Sequence, residues 1–94
     1  MRLVWTGAAV ADLEQISDYL LENHPELATT TIQRIFTSVS ELRQFPRRGR
    51  PGRKNGTREL VLTQLPYLAI YEFFGETIRV LRVLHGARRW PQCF

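Results

Sequence analysis

A two-layer α+β fold in the order β-α-α-β-β-β is predicted for this chain of 94 residues. Three observations predict it. The first half carries two amphipathic helical patterns, the second half carries three β-prone runs, and a turn-rich basic segment joins them. The helical hairpin is expected to pack on one face of a mainly antiparallel four-stranded sheet, leaving the other face partly open. A composition of 44% hydrophobic and 23% charged residues suits one domain over residues 1–94 with a single small core.

The elements follow in order. Residues 2–5 (RLVW) form a short apolar run ending at Thr6, whose hydroxyl can cap the helix that follows. Over residues 8–23 the apolar positions Val10, Leu13, Ile16, Leu20 and Leu21 recur at helical spacing, and Asp12, Glu14, Asp18 and Glu22 are assigned to the solvated faces. Pro25 followed by Glu26 starts a second helix, because the N–H that proline lacks has no partner in a first turn. Ala28, Ile32, Ile35, Val39 and Leu42 form its buried stripe, and Pro46 stops it near Phe45. Residues 58–62 (RELVL), 67–74 (YLAIYEFF) and 77–85 (TIRVLRVLH) are the three runs of the meander, with turns at Leu65-Pro66 and Gly75-Glu76. Simple alternation in the last run puts Ile78, Val80, Arg82 and Leu84 on one face and Arg79, Leu81, Val83 and His85 on the other.

Charge is segregated along the chain. Residues 1–45 hold three arginines against six acids, net −3, whereas residues 46–94 hold ten bases against three acids, net +7. The densest part is PRRGRPGRKNGT at 46–57, where Arg47, Arg48, Arg50, Arg53 and Lys54 sit among three glycines and two prolines. Such a loop is a contact surface, and its sign selects an acidic partner, either phosphate or a carboxylate-rich peptide. Arg58, Arg79, Arg82, Arg88 and Arg89 extend the basic character into the sheet.

Several function classes are excluded by missing patterns. Two histidines and one cysteine, Cys93, give neither a metal-ligand spacing nor an internal disulfide, and no GxSxG or Walker-type loop occurs. No cofactor or metal is expected. The N-terminal residues lack the apolar stretch of a signal peptide and no run approaches the roughly 18 apolar residues of a membrane span, so a cytoplasmic location without membrane contact is expected. Two residues stand out. His85 closes the last run and can serve as a general acid or base. Arg82 falls mid-strand among aliphatic neighbours, where an unpaired guanidinium is costly, so it pairs with an acid such as Glu59 or Glu72 or points into the open groove. Trp5 and Trp90 read as core and rim anchors.

The runs WTGAAVADLEQISDYL, GRPGR, PYLAIYEF and TIRVLRVLHGARRWP resemble toxins of the ParE/RelE superfamily from bacterial type II toxin–antitoxin modules. The resemblance spans nearly the whole chain and implies the same order of elements. It implies a cognate antitoxin with a partly disordered acidic segment, and a toxin–antitoxin hetero-oligomer. The superfamily divides into ribosome-dependent messenger-RNA endonucleases and poisons of DNA gyrase, and the matching positions favour the ParE branch. RelE-type ribonucleases carry lysines where this chain has Glu59 and Val61, and an arginine where it has Leu68. The chain also ends nine residues after His85, short of the ribonuclease's C-terminal helix. The primary expectation is a gyrase inhibitor acting by binding, without chemistry. Its contacts would be Arg47, Arg48, Arg50, Arg53, Lys54 and Arg58, together with Arg82, His85, Arg88, Arg89 and Trp90. The alternative is a messenger-RNA endonuclease working on the ribosome, in which His85 moves the proton and Arg82 and Arg88 stabilise the phosphate.

Overall fold

The computed structural model describes residues 1–62 and 64–86. Arg88, Arg89, Trp90 and Cys93 lie outside the described residues. Strand β1 (Arg2–Trp5) leads into helix α1 (Gly7–Asn23), which turns at His24 into α2 (Pro25–Ser40) and a single 3₁₀ turn (Glu41–Arg43). Strands β2 (Arg50–Pro51), β3 (Arg58–Val61), β4 (Tyr67–Phe74) and β5 (Thr77–His85) follow. The α+β expectation holds, and so does the helical hairpin against a mainly antiparallel sheet.

The sheet has five strands rather than four, in the order β1-β5-β4-β3-β2. The extra strand comes from the basic loop. Arg50 and Pro51 pair antiparallel with Glu59 and Arg58, and the Arg50 guanidinium meets the Glu59 carboxylate at 3.0 Å. Proline is tolerated there because β2 is an edge. At the other edge β1 runs parallel to β5, with Arg2 beside Thr77 and Trp5 beside Val80.

Thr6 ties the two layers together. Its Oγ1 accepts the Ala9 N–H at 3.2 Å, capping α1, and lies within 2.9 Å and 3.1 Å of the Val80 and Leu81 carbonyls, to which its hydroxyl can donate. Pro25 begins α2 as expected. The core forms where Ala9 and Leu13 of α1, Ile35 and Val39 of α2, and Leu42 of the 3₁₀ turn meet Leu60, Ala69, Tyr71, Ile78, Val80 and Val83 of the sheet. Fully burying side chains such as Ile35, Val39 and Leu42 contributes about 1.5–3 kcal/mol each.

Three expectations about side-chain direction are corrected. In α1, Val10 and Leu21 are exposed, while Asp12, assigned to the solvated face, is buried. In β5 the alternation does not run through. The pairing Tyr71↔Val80 is followed by Ile70↔Arg82, so Leu81 is an extra residue and the strand bulges. Ile78 and Val80 before the bulge and Val83 after it therefore all join the core, whereas Leu84 packs on the far face with Leu68 and Ile70. Arg82 pairs with neither Glu59 nor Glu72. It reaches Asp12 of α1 from the position that follows the bulge. The far face is thus filled at its centre by a small apolar cluster and exposed at Val61.

No helix among the described residues is long and apolar enough to cross a membrane.

Candidate functional site

The basic loop is anchored from below by one tyrosine. Tyr71 lies mid-β4 on the core side, fully buried, and its hydroxyl reaches past the sheet edge to the loop backbone. It accepts the Gly49 N–H at 2.9 Å and donates to the Pro46 carbonyl at 2.6 Å. Gly49 is required by this approach, since a Cβ there would stand 2.8 Å from both the Tyr71 ring and the Glu59 carbonyl. Burial raises the Tyr71 pKa above the ordinary tyrosine value, with the Gly49 hydrogen bond and the Arg58 charge opposing the shift. The phenol therefore stays protonated as the donor to Pro46.

Arg58 completes the anchorage from β3, donating to the Gly49 carbonyl at 2.6 Å and the Arg47 carbonyl at 3.3 Å. Its guanidinium and that of Arg47 also lie over the Phe73 ring, 5.9 Å and 5.5 Å from the centroid. Arg48 forms an ion pair with Glu41 just after α2, and Arg50 is held by the buried Glu59 carboxylate. The loop is thus a fastened surface with Arg47 and Arg53 exposed on it.

At the far end of β5 the arrangement differs. Asp12 accepts three hydrogen bonds: from Arg82 Nε at 2.7 Å, Arg82 Nη2 at 3.0 Å and the Val83 N–H at 2.9 Å. The bidentate bond to Asp12 raises the Arg82 pKa. Arg82, proposed from the sequence as a phosphate ligand, is therefore committed to an internal carboxylate. His85 lies three residues on, edge-to-face with Tyr67 at 5.8 Å. Burial raises the Tyr67 pKa, and nearby Tyr19 adds to the shift.

Two concavities meet around this histidine. One, of about 430 Å³, lies between α1 and the β4–β5 ends and includes Asp12, Ile16, Tyr19, His24, Tyr67 and His85. The other, also about 430 Å³, opens beside the far face and is lined by Arg50, Val61, Leu65, Pro66, Tyr67, Leu68, His85 and Gly86. Among the described residues that line it, the cation is Arg50, which is paired with Glu59. Val61 and Leu68, paired across β3 and β4, line this second concavity, and Glu59 holds Arg50 beside it.

The structure brings Arg47, Arg48, Arg50 and Arg58 together around the anchored loop, and places Arg82 and His85 at the opposite end of the sheet from the β4–β5 turn. Sequence reasoning missed Tyr71, Gly49, Asp12 and Phe73. For Asp12 a signal existed: it stands three residues after Ala9 and four before Ile16, on the stripe that packs against the sheet. For Tyr71 there was none, because its partners are backbone atoms more than twenty residues away.

Comparison with known proteins bears on this geometry. The family model for the ParE toxin of the type II toxin–antitoxin system parDE matches residues 3–90. A putative toxin, Y4kP, of Sinorhizobium fredii is 38% identical over 91 residues, covering 97% of this chain and 94% of that protein. Toxin RelE2 of Caulobacter vibrioides is 34% identical over 87 residues, covering 93% and 97%. Among solved structures, one of the chromosomal ParDE system from P. aeruginosa superposes with a TM-score of 0.82 at 36% identity, covering 88% of this chain and 92% of that one. A chain of the toxin–antitoxin complex RelBE2 from Mycobacterium tuberculosis superposes with a TM-score of 0.56 at 26% identity, covering 89% and 95%.

Proposed function

This chain belongs to the ParE toxin family of type II toxin–antitoxin systems, and we propose that it arrests growth by binding DNA gyrase rather than by cutting nucleic acid. The observation that carries the reading is the state of the cations near His85. Cleaving a phosphodiester needs positive charge aimed at the pentavalent phosphate and a positioned proton donor. Among the described residues Arg82 is bound bidentately by Asp12, Arg50 is bound by Glu59, and Val61 and Leu68 occupy the neighbouring positions with aliphatic side chains. A binding function asks for none of that chemistry. It asks for a preformed surface, which the anchored loop supplies through Arg47, Arg48, Arg50, Arg53, Lys54 and Arg58.

The toxin is neutralised, in this reading, by a cognate antitoxin whose acidic segment covers the basic half of the chain. Solved relatives carry the names of toxin–antitoxin systems, in agreement with such a partner. A cytoplasmic location follows from a cytoplasmic target. Gyrase as the target rests on the family resemblance.

The second reading is a messenger-RNA endonuclease. It is favoured by the position of His85 at the junction of two concavities and by the resemblance to a protein named toxin RelE2. Pulse labelling within minutes of inducing the chain alone separates the two. The expected result is that thymidine incorporation falls first while methionine incorporation persists; a prior collapse of translation would favour the endonuclease. In the same cells, co-expression of the antitoxin restores growth.

A further inference from the structure

Beyond the charged side chains, the turn after α2 presents an apolar concavity. Phe45, 58% exposed, forms its wall with Pro46 and the stems of Arg47 and Arg48, around a space of about 560 Å³. A solitary exposed phenylalanine is ordinary. Here, however, the backbone that carries it is fixed at every turn. Phe45 N–H bonds to the Glu41 carbonyl and Arg48 N–H to the Phe45 carbonyl, both at 3.1 Å. Tyr71 holds Pro46 and Gly49, and Arg58 holds the Arg47 and Gly49 carbonyls. These bonds fix the backbone path of residues 45–49, from which the side chains around the concavity project.

We propose that this concavity is a preformed docking site for an apolar side chain flanked by carboxylates on an acidic protein segment. The inference rests on reading the chain as an antitoxin-bound toxin, and it names the anchor point. Charge complementarity selects the flanking residues. Arg47 keeps its exposed guanidinium over Phe73, and Arg48 is paired with Glu41 while both side chains remain about half exposed, so a partner carboxylate can replace that of Glu41. A protein segment fits better than a nucleic-acid strand, because the space between the two cations is walled by Phe45 and Pro46 and takes an apolar side chain rather than a run of successive phosphates. Phenylalanine and arginine are also both enriched at protein interfaces. With the turn already ordered, binding need not include the cost of ordering it.

The test uses the antitoxin that restores growth on co-expression, titrated calorimetrically onto the purified chain. Phe45→Ser, at an exposed position, should keep the wild-type melting temperature and weaken binding by about tenfold or more. Tyr71→Phe should weaken it by a smaller factor and speed amide exchange at residues 47–49 in the free protein. An affinity for Phe45→Ser within about twofold of wild type overturns the docking site while leaving the antitoxin reading intact. Should no antitoxin bind the wild type, that reading fails by itself, and a synthetic peptide then decides the site. A capped peptide with one leucine among glutamates should shift the amides of Phe45, Arg47 and Arg48 saturably, and its serine counterpart should not. Equal shifts with both peptides, no shifts, or larger shifts with a single-stranded oligonucleotide overturn the proposal.

Discussion

Tyr71 is the residue in which sequence, stability and surface converge. Its ring fills the core and its hydroxyl holds two loop backbone groups that would otherwise lack these partners. Tyr71→Phe keeps the packing and leaves the Gly49 N–H and Pro46 carbonyl unpaired, so at neutral pH it should cost about 1–3 kcal/mol in urea denaturation. The pH dependence has a definite sign. The folded protein holds this proton to higher pH than the unfolded chain does, so the stability tied to it is full below the unfolded value of about 10 and falls as pH rises above it. Wild type should therefore lose more stability between about pH 9 and pH 11 than Tyr71→Phe does. Tyr67, also raised, is common to both proteins and cancels in the comparison.

At the scale of elements, the clamp between α1 and β5 decides the geometry of the sheet's far end. Asp12 satisfies the Val83 N–H, next to the residue that follows the bulge, and binds Arg82 with both oxygens. A carboxylate 5% exposed is tolerable only with such partners. Removing one partner strands the other, so Asp12→Ala should destabilise by about 3–5 kcal/mol. Calorimetric unfolding measures it. If the clamp sets the path of β5 after the bulge, amide exchange in Asp12→Ala should rise first at residues 81–85, before the β3–β4 ladder opens. Uniform loss of protection would instead make the pair a general stabiliser with no local role.

On the scale of the whole molecule, the asymmetry of −3 in the first half and +7 in the second is a field rather than a set of contacts. Most of the loop's arginines already have internal partners, so the field should act chiefly on encounter with an acidic partner. Raising ionic strength from about 0.05 M to 0.5 M should slow association with the antitoxin by an order of magnitude or more, and change dissociation much less. Stopped-flow or surface-based kinetics would measure the two rates. A salt effect carried mainly by dissociation would mean that the charges act in the bound state instead.

The helical hairpin, the runs of the meander, the caps at Thr6 and Pro25 and the basic loop were legible because the pattern that marks each lies within neighbouring positions of the chain. Hydrophobic period and turn chemistry are local properties. The fifth strand, the bulge at Leu81, the burial of Asp12 and the anchoring of the loop by Tyr71 depend on partners between seven and seventy-one residues away. Pattern along the chain cannot choose among such partners, because a charged side chain on a stripe looks the same whether it meets water or an arginine from the last strand. Sequence by itself determined the class of fold and the sign of the surface. Tertiary structure alone decided which charges face a partner and which are used up inside, since only packing brings Asp12 to Arg82 and Glu59 to Arg50.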